Sequence, residues 1–219
     1  ALGLSRDRIH VIHNGVDLHD FSPGCVERSA LGLPPDVVLG LFAGGIGTPR
    51  KNLDTVLRAL QSVPELHLAV LGPTEGSPYP VLARRLGVAD RAHFLGYRTD
   101  VPDLMRTADL LAFPSRYEAC SLVLLEALAS GLPIVTAETA GGAELVDANC
   151  GFVLPNPDDT QALAAVLQQL VASPALRADM GRAARAVAEH HSWDRMAERY
   201  LNIFSTLADT APATAPHGP

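Results

Sequence analysis

Phe113-Pro114-Ser115-Arg116-Tyr117-Glu118-Ala119-Cys120-Ser121-Leu122-Val123-Leu124-Leu125-Glu126-Ala127-Leu128-Ala129-Ser130-Gly131-Leu132-Pro133 is the stretch on which the reading of this chain turns. The residues just before it, Leu110-Leu111-Ala112-Phe113, form an unbroken apolar run, the pattern of a strand buried on both faces of a parallel sheet. Pro114-Ser115 ends that strand. Leu122–Ala129 is rich in strong helix formers and stops at Gly131, after which Ile134-Val135-Thr136 is a second apolar strand. The order strand, loop, helix, strand puts Glu118 in the loop and Glu126 one turn into the helix, with seven residues between them. Both acids then stand at the carboxyl end of a parallel sheet, where open α/β folds bind ligands. The plain alternative is a loop surface charge and a solvated helix residue.

Outward from this unit the same alternation recurs. On the N-terminal side, Val37–Phe42 is an apolar strand, followed by the Gly-rich loop Ala43-Gly44-Gly45-Ile46-Gly47-Thr48-Pro49-Arg50-Lys51. Asn52–Leu60 carries Leu53, Val56, Leu57 and Leu60 on one helical face. Leu66–Leu71 and His93-Phe94-Leu95 are further strands, Val81–Leu86 is helical, and Val101–Thr107 is a short helix with Asp100 as its expected cap. On the C-terminal side come the turn Ala140–Glu144, a last strand Gly151–Leu154, and helices over Asp158–Ala172, Pro174–His190 and Ser192–Leu207. Arg8–His13 alternates and reads as a short strand. Strands alternating with helices predict an α/β fold with a doubly wound, Rossmann-like parallel sheet and C-terminal helices.

Composition bounds the chemistry. The chain has 219 residues, 47% of them hydrophobic, enough for a sizeable core. A formal charge of −7, from 17 Lys+Arg against 24 Asp+Glu, argues against a nucleic-acid or anionic-membrane surface over most of the chain. Cys25, Cys120 and Cys150 are widely spaced, with no metal-ligand spacing, and their odd count suggests a reducing, cytoplasmic setting. The N-terminal residues do not read as a secretory leader, and no apolar run approaches the ~18 residues of a spanning helix. The opening Ala1-Leu2-Gly3-Leu4, without Met, reads as a cut inside a longer protein. The expected organisation is an interdomain arm or strand over 1–35, a ligand-binding domain over 36–190, a C-terminal helix over 191–208 and a disordered tail over 209–219.

The Gly44–Lys51 loop lies where a strand turns into a helix, a position that favours phosphate because free backbone N–H groups point outward. Gly44 and Gly45 permit close approach, and Arg50 and Lys51 add two positive charges. A tight turn beside a solvated basic pair is the alternative. Gly-Gly-Ile-Gly lacks the third glycine of the dinucleotide fingerprint, and Gly72-Pro73 stands where an acid for the ribose belongs, so NAD is not expected. The P-loop pattern is absent. Glu126 can accept from ribose hydroxyls, Glu118 can face a second polyol, and the backbone N–H groups of Ser121, Leu122 and Val123 can hold a phosphate. The ligand so assembled is nucleoside, diphosphate and sugar. No metal site is expected, since there is no Asp-x-Asp after a strand and the histidines are scattered. No Gly-x-Ser-x-Gly elbow is present, and Cys120 reads as a small packing residue rather than a nucleophile.

Pro114-Ser115-x-x-Glu118, Glu126-Ala127-x-Ala129-x-Gly131-x-Pro133, Gly141-Gly142-x-Glu144 and Gly151 together resemble the E-x7-E signature of retaining GT-B glycosyltransferases of the "glycosyl transferases group 1" type. Val11–Asp17, Arg50-Lys51-Asn52-Leu53, Phe94-Leu95-Gly96 and Ser192-Trp193 resemble the same family, so the likeness runs from about Ile9 to Leu207. Such enzymes have two Rossmann-like halves, and the chain resembles the C-terminal, donor-binding half. The resemblance implies that Glu126 binds ribose, Glu118 contacts the donor sugar, Lys51 with Arg50 binds the diphosphate, and Tyr97 and Arg98 hold the base through their backbone. It implies no cofactor beyond a nucleoside-diphosphate sugar as co-substrate, and an acceptor (sugar, lipid or small molecule) held by an N-terminal domain. No nucleic-acid partner is implied, and a peripheral membrane contact is compatible with it. Same-face attack with retention is the implied chemistry, the protein supplying position and leaving-group stabilisation. Two departures stand out. Ala119-Cys120-Ser121 replaces the family's frequent Gly-Phe-Gly, and Gly45 stands near the place of an Arg.

Three other readings share these features: a nucleotide-sugar-binding module without turnover, a same-fold enzyme such as a nucleotide-sugar epimerase or a phosphorylase-like enzyme, and an oligomerising structural domain. A phosphorylase-like enzyme needs a pyridoxal-phosphate lysine, and the sole lysine, Lys51, lies in the diphosphate loop. Trp193 and its helix are expected to leave an apolar patch exposed.

Overall fold

The computed structural model describes Ser5 and residues 9–210. Six strands, β1 (Val38–Ala43), β2 (Leu66–Leu71), β3 (Ala92–Gly96), β4 (Leu110–Phe113), β5 (Ile134–Ala137) and β6 (Gly151–Leu154), form one sheet in the order β3-β2-β1-β4-β5-β6. Every neighbouring pair is parallel. The chain builds outward from β1 to one edge, returns to β4 on its other side, and builds outward again. This is the doubly wound α/β arrangement, and its switch point lies between β1 and β4.

Among the described residues seven α-helices accompany the strands: α1 (Leu53–Ala59), α2 (Tyr79–Arg85), α3 (Val101–Thr107), α4 (Leu122–Ala129), α5 (Thr160–Ala172), α6 (Pro174–Glu189) and α7 (Trp193–Thr210). The apolar runs become strands because both their faces are covered. β1, β2, β4 and β5 are buried almost throughout, and Phe42 meets Phe113 across the switch point with ring centroids 5.9 Å apart. Leu53, Val56 and Leu57 of α1, with Leu60 just beyond it, are buried as their spacing predicts, and α1 packs on α5 while α4 packs on α6. Asp159 caps α5 by accepting from the N–H groups of Gln161 and Ala162, and Ser192 accepts from Arg195 N at the head of α7.

Some expectations are corrected. Ile9–His13 forms no strand, and Arg8 lies outside the described residues. Ile9 and Val11 are exposed with no neighbouring strand, and alternation without a ladder partner does not make a strand. The arm is tied down further on, where Val16 N donates to His191 O (2.9 Å) and Trp193 Nε1 to Gly15 O (2.9 Å). Asp100 does not cap α3, because its carboxylate is engaged by Arg98. The second helix starts earlier than expected, at Tyr79 rather than Val81. The tail expected to be disordered lies outside the described residues, apart from the end of α7.

Candidate functional site

At the carboxyl ends of β1 and β4 lies a cleft of about 530 Å³. Its floor is nearly bare backbone. Gly44 N donates to Leu71 O (3.0 Å) and Gly72 N to Gly96 O (2.9 Å), so glycines join the ends of three neighbouring strands. Gly44 and Gly72 have φ of 151° and 149°, and a Cβ on Gly72 would stand 2.1 Å from Gly44 O. Only glycine fits there, and the result is a surface that a ligand can approach closely.

One wall is a charge cluster. The carboxylate Oε1 of Glu118 lies 2.7 Å from Lys51 Nζ and 2.7 Å from Arg50 Nη1. The Glu118 and Lys51 side chains are 9% and 15% exposed, so this pair is largely withdrawn from solvent, while Arg50 is half exposed. Lys51 Nζ also stands 5.0 Å from the centroid of the Phe113 ring. Two adjacent cations thus meet at one oxygen of an acid that lies 68 positions beyond Arg50.

The loops carrying this cluster are laced together. Arg116 N and Ser115 Oγ both donate to Arg50 O (3.0 and 3.1 Å). The Arg116 guanidinium reaches Asp54 (2.9 and 3.0 Å), Asp158 (2.7 Å) and Pro49 O (2.5 Å). Burial raises the Asp54 pKa, but the bonds from Arg116 and Arg58 outweigh it and hold the carboxyl below its usual range. Asn52, fully buried with φ 65°, donates to Pro114 O (2.9 Å) and Pro157 O (2.6 Å), and accepts from Thr55 Oγ1 (2.6 Å). On the far side Glu118 N donates to Thr139 O (3.2 Å), and Gly141 N to Glu118 O (2.9 Å). A Cβ on Gly141 would meet Ala119 O at 2.2 Å.

The opposite wall is the start of α4. Among the described residues the Glu126 carboxylate has no protein partner, and burial raises its pKa above the ordinary glutamate value. An unpaired, partly dehydrated carboxylate facing a cleft is a ready acceptor for ligand hydroxyls. The N–H groups of Leu122 and Val123, at the first two positions of the helix, have no intrahelical acceptor. The remaining wall carries Tyr97, whose ring is highly exposed, and Arg98, whose guanidinium is turned onto Asp100 (Nε to Oδ1 2.7 Å).

Gly44, Gly45, Lys51, Tyr97, Arg98, Glu118, Ser121, Leu122, Val123 and Glu126 all line this cleft, and Arg50 reaches it through Glu118. Three details differ from expectation. Ser121 N donates to Gly141 O (2.9 Å) and is not free for a ligand, and the Ser121 hydroxyl is buried with no hydrogen-bond partner among the described residues. The Gly loop does not run straight into α1: a 3₁₀ turn, Pro49–Lys51, and the left-handed Asn52 intervene, so the groups offered from this side are side-chain cations and the backbone at Gly45. Cys120 is an exposed thiol on the cleft rather than a packing residue, and Asn14 Nδ2 donates to its Sγ (3.2 Å). Asn52 and Arg116 were not foreseen as organisers of the site. An Asn at the junction of a loop and an amphipathic run is the signal that could have found the first.

The Ala140–Glu144 turn borders a separate, smaller cavity rather than this cleft. Among the described residues one group, Asp17, His19 and Asp20, brings its possible ligand atoms within 4.8 Å of one another, away from the cleft, and Asp17 there accepts from the N–H groups of His19 and Asp20. No helix of the described residues is long and apolar enough to cross a membrane.

Known proteins resemble this chain in sequence and in architecture. A D-inositol 3-phosphate glycosyltransferase of Xylanimonas cellulosilytica is 37% identical over 227 residues, covering 96% of this chain and 54% of that protein. A sucrose-phosphate synthase from Thermosynechococcus elongatus superposes with a TM-score of 0.83 at 25% identity, over 92% of this chain and 53% of its own. Anabaena Alr3699/HepE, crystallised with UDP and glucose, superposes with a TM-score of 0.80 at 26% identity, over 94% of this chain and 58% of its own. The chain spans about half the length of the curated relatives it matches. The model of "Glycosyl transferases group 1" matches residues 28–187, and the chain belongs to that family.

Proposed function

We propose that this chain is the donor-binding half of a retaining glycosyltransferase that moves a sugar from a nucleoside-diphosphate sugar to an acceptor. The observation that carries the reading is the meeting of Lys51, Arg50 and Glu118 at one oxygen, across the cleft from an unpaired Glu126. In this reading Glu126 accepts from the ribose hydroxyls. Lys51 and Arg50, with the open N–H groups of Leu122 and Val123, stabilise the departing diphosphate without a metal ion or other cofactor. Glu118 faces the sugar while holding both cations in place. Gly44 and Gly45 let the phosphates approach the backbone, and Tyr97 and Arg98 border the base. Because the diphosphate must not move away during a same-face transfer, its oxygen is placed to take the acceptor's proton. The complex of the Anabaena protein with UDP and glucose supports a nucleoside diphosphate, with UDP as the first ligand to try. The acceptor is assigned to residues outside this chain.

Isothermal titration of the chain with UDP and with uridine tests this. UDP binds more tightly than uridine, and Lys51→Ala removes most of that difference while leaving uridine nearly unchanged. Equal losses for both ligands would contradict the diphosphate assignment. A second reading, a binding module without turnover, is favoured for the chain alone by its span of about half the curated relatives. Binding without transfer to water or to an added sugar supports it.

A further inference from the structure

His67 of β2 and His93 of β3 meet beside the sheet edge, well away from the residues that line the cleft. Both are half-buried. His67 Nδ1 lies 3.0 Å from His93 Nε2, with the ring planes at 11° and the centroids 5.3 Å apart. At that centroid separation the nitrogens come so close only when the rings are nearly coplanar and the two nitrogens point at each other. The contact is therefore an N–H···N hydrogen bond with one proton between the rings. A metal ion does not fit between them, since two Zn–N bonds of about 2.0–2.1 Å on opposite sides of an ion need roughly 4 Å.

The bond tolerates one added proton and not two. A first proton takes the outward nitrogen of the donor ring, and the N–H···N contact survives with a charged donor. A second proton must take the accepting nitrogen, which leaves two N–H groups and two like charges face to face. The surroundings oppose those charges. Burial lowers the pKa of both rings, Arg91 adds to the effect at His67, and His67 adds to it at His93. The elements chiefly packed on this part of β2 and β3 are β1, which carries no titratable side chain, and the 3₁₀ turn Ala89–Arg91. In that turn Arg91 donates to Leu60 O (2.8 Å), Val63 O (2.8 Å) and Leu66 O (3.0 Å), which fixes its charge near the pair. Among the described residues neither Asp90 of the turn nor Glu65 before β2 forms an ion pair with either ring; the histidines with such a partner are His13 and His19.

The strand so tied leads into the cleft. β3 lies at the edge of the sheet with β2 as its neighbour, and the ladder between them shifts register at Val70/Leu71. Gly96 ends β3, and Tyr97 and Arg98, next in the chain, line the cleft. We propose that the His67–His93 bond is a pH-sensitive latch that holds β3 and the Tyr97–Arg98 wall in place at neutral pH and releases them in mild acid, when both rings are charged. The sign follows from linkage. Each ring holds a proton less readily in the folded chain than in the opened one, so the latch is at full strength above the ordinary histidine value, about 6.5, and weakens as the pH falls below it.

Hydrogen–deuterium exchange of the whole chain, read by peptide mass spectrometry and corrected for the chemical exchange rate, tests this from about pH 8 to about pH 5, where histidine changes charge. Peptides covering Ala92–Arg98 should lose protection severalfold across that range, while those covering β4 and β5 keep theirs. In His93→Gln the amide oxygen still accepts from His67 whatever the charge of that ring, so β3 should stay protected in acid. In His93→Ala the bond is gone, and β3 should exchange at neutral pH as the unaltered chain does in acid. The proposal is overturned if β3 of the unaltered chain stays protected in acid, if His93→Gln loses protection to the same degree, or if His93→Ala keeps the full pH dependence. Should a variant fail to fold, the profile of the unaltered chain against β4 and β5 still decides. No ligand is added, so the outcome is independent of what the cleft binds.

Discussion

Glu126 shows what a single residue contributes. Burial raises its pKa because removal from water disfavours the charged form. On the proposed reading ribose hydroxyls donate to the charged form and favour it, so the pKa falls again in the complex. Between those two values binding therefore releases a proton, and affinity rises with pH. UDP binding should weaken as the pH drops from neutral toward the raised Glu126 value, and Glu126→Gln should flatten that dependence, as titrations in a pH series would show. Glu126→Ala should lose about 1.5–3 kcal/mol of UDP affinity, the usual worth of a hydrogen bond to a charged group. An affinity unchanged by this substitution would remove Glu126 from the site. The two acids and the lysine were legible in the sequence because strand-end position and residue type are both local properties. Ser121 Oγ and Asn14 were not, since the first depends on what surrounds a hydroxyl and the second on a contact across 106 residues of chain.

Among elements, the floor of the cleft depends on how closely the loop after β1 lies on the turn after β2. Gly72→Ala places a Cβ 2.1 Å from the Gly44 carbonyl oxygen, backbone against side chain with no flexible group to yield. It also puts an alanine at φ 149°. The chain should lose about 1–3 kcal/mol of stability, seen as a lower midpoint in urea, and UDP affinity should fall with it because the loop must lift. A neutral outcome on both measurements would show the floor to be looser than its geometry. Strands and helices were readable wherever an apolar run is covered by its neighbours. Ile9–His13 formed no strand because alternation says nothing about whether a ladder partner exists. The start of α1 was legible to one residue, whereas the 3₁₀ turn Pro49–Lys51 and the left-handed Asn52 before it were not, because apolar periodicity is silent on backbone hand.

For the whole molecule, α7 is the feature that a lone chain does not explain. Trp193, Tyr200, Leu201, Phe204 and Leu207 are all exposed, and Ile9 and Val11 of the arm add to the same side through a groove shared with Ile203. An apolar surface of this extent on a free chain favours self-association. Sedimentation should show concentration-dependent association that Leu201→Ser with Phe204→Ser reduces. The melting temperature should barely move, because exposed substitutions typically change stability by no more than about 0.5 kcal/mol. The doubly wound class was legible from the alternation of elements, and the expected apolar patch is present. The strand order was not legible, because a periodic run identifies a strand without saying which strand lies beside it.

The cluster at Glu118 has one further consequence, for the traffic of ligand into and out of the cleft. Two cations on one carboxylate leave a single positive excess there, on a chain whose formal charge is −7. A diphosphate approaching from bulk is repelled by the protein as a whole and attracted only within about 8 Å of the mouth, the screening distance at physiological ionic strength. Added salt should therefore hasten arrival and shorten residence, opposite effects that an equilibrium constant would conceal and rapid-mixing kinetics would separate.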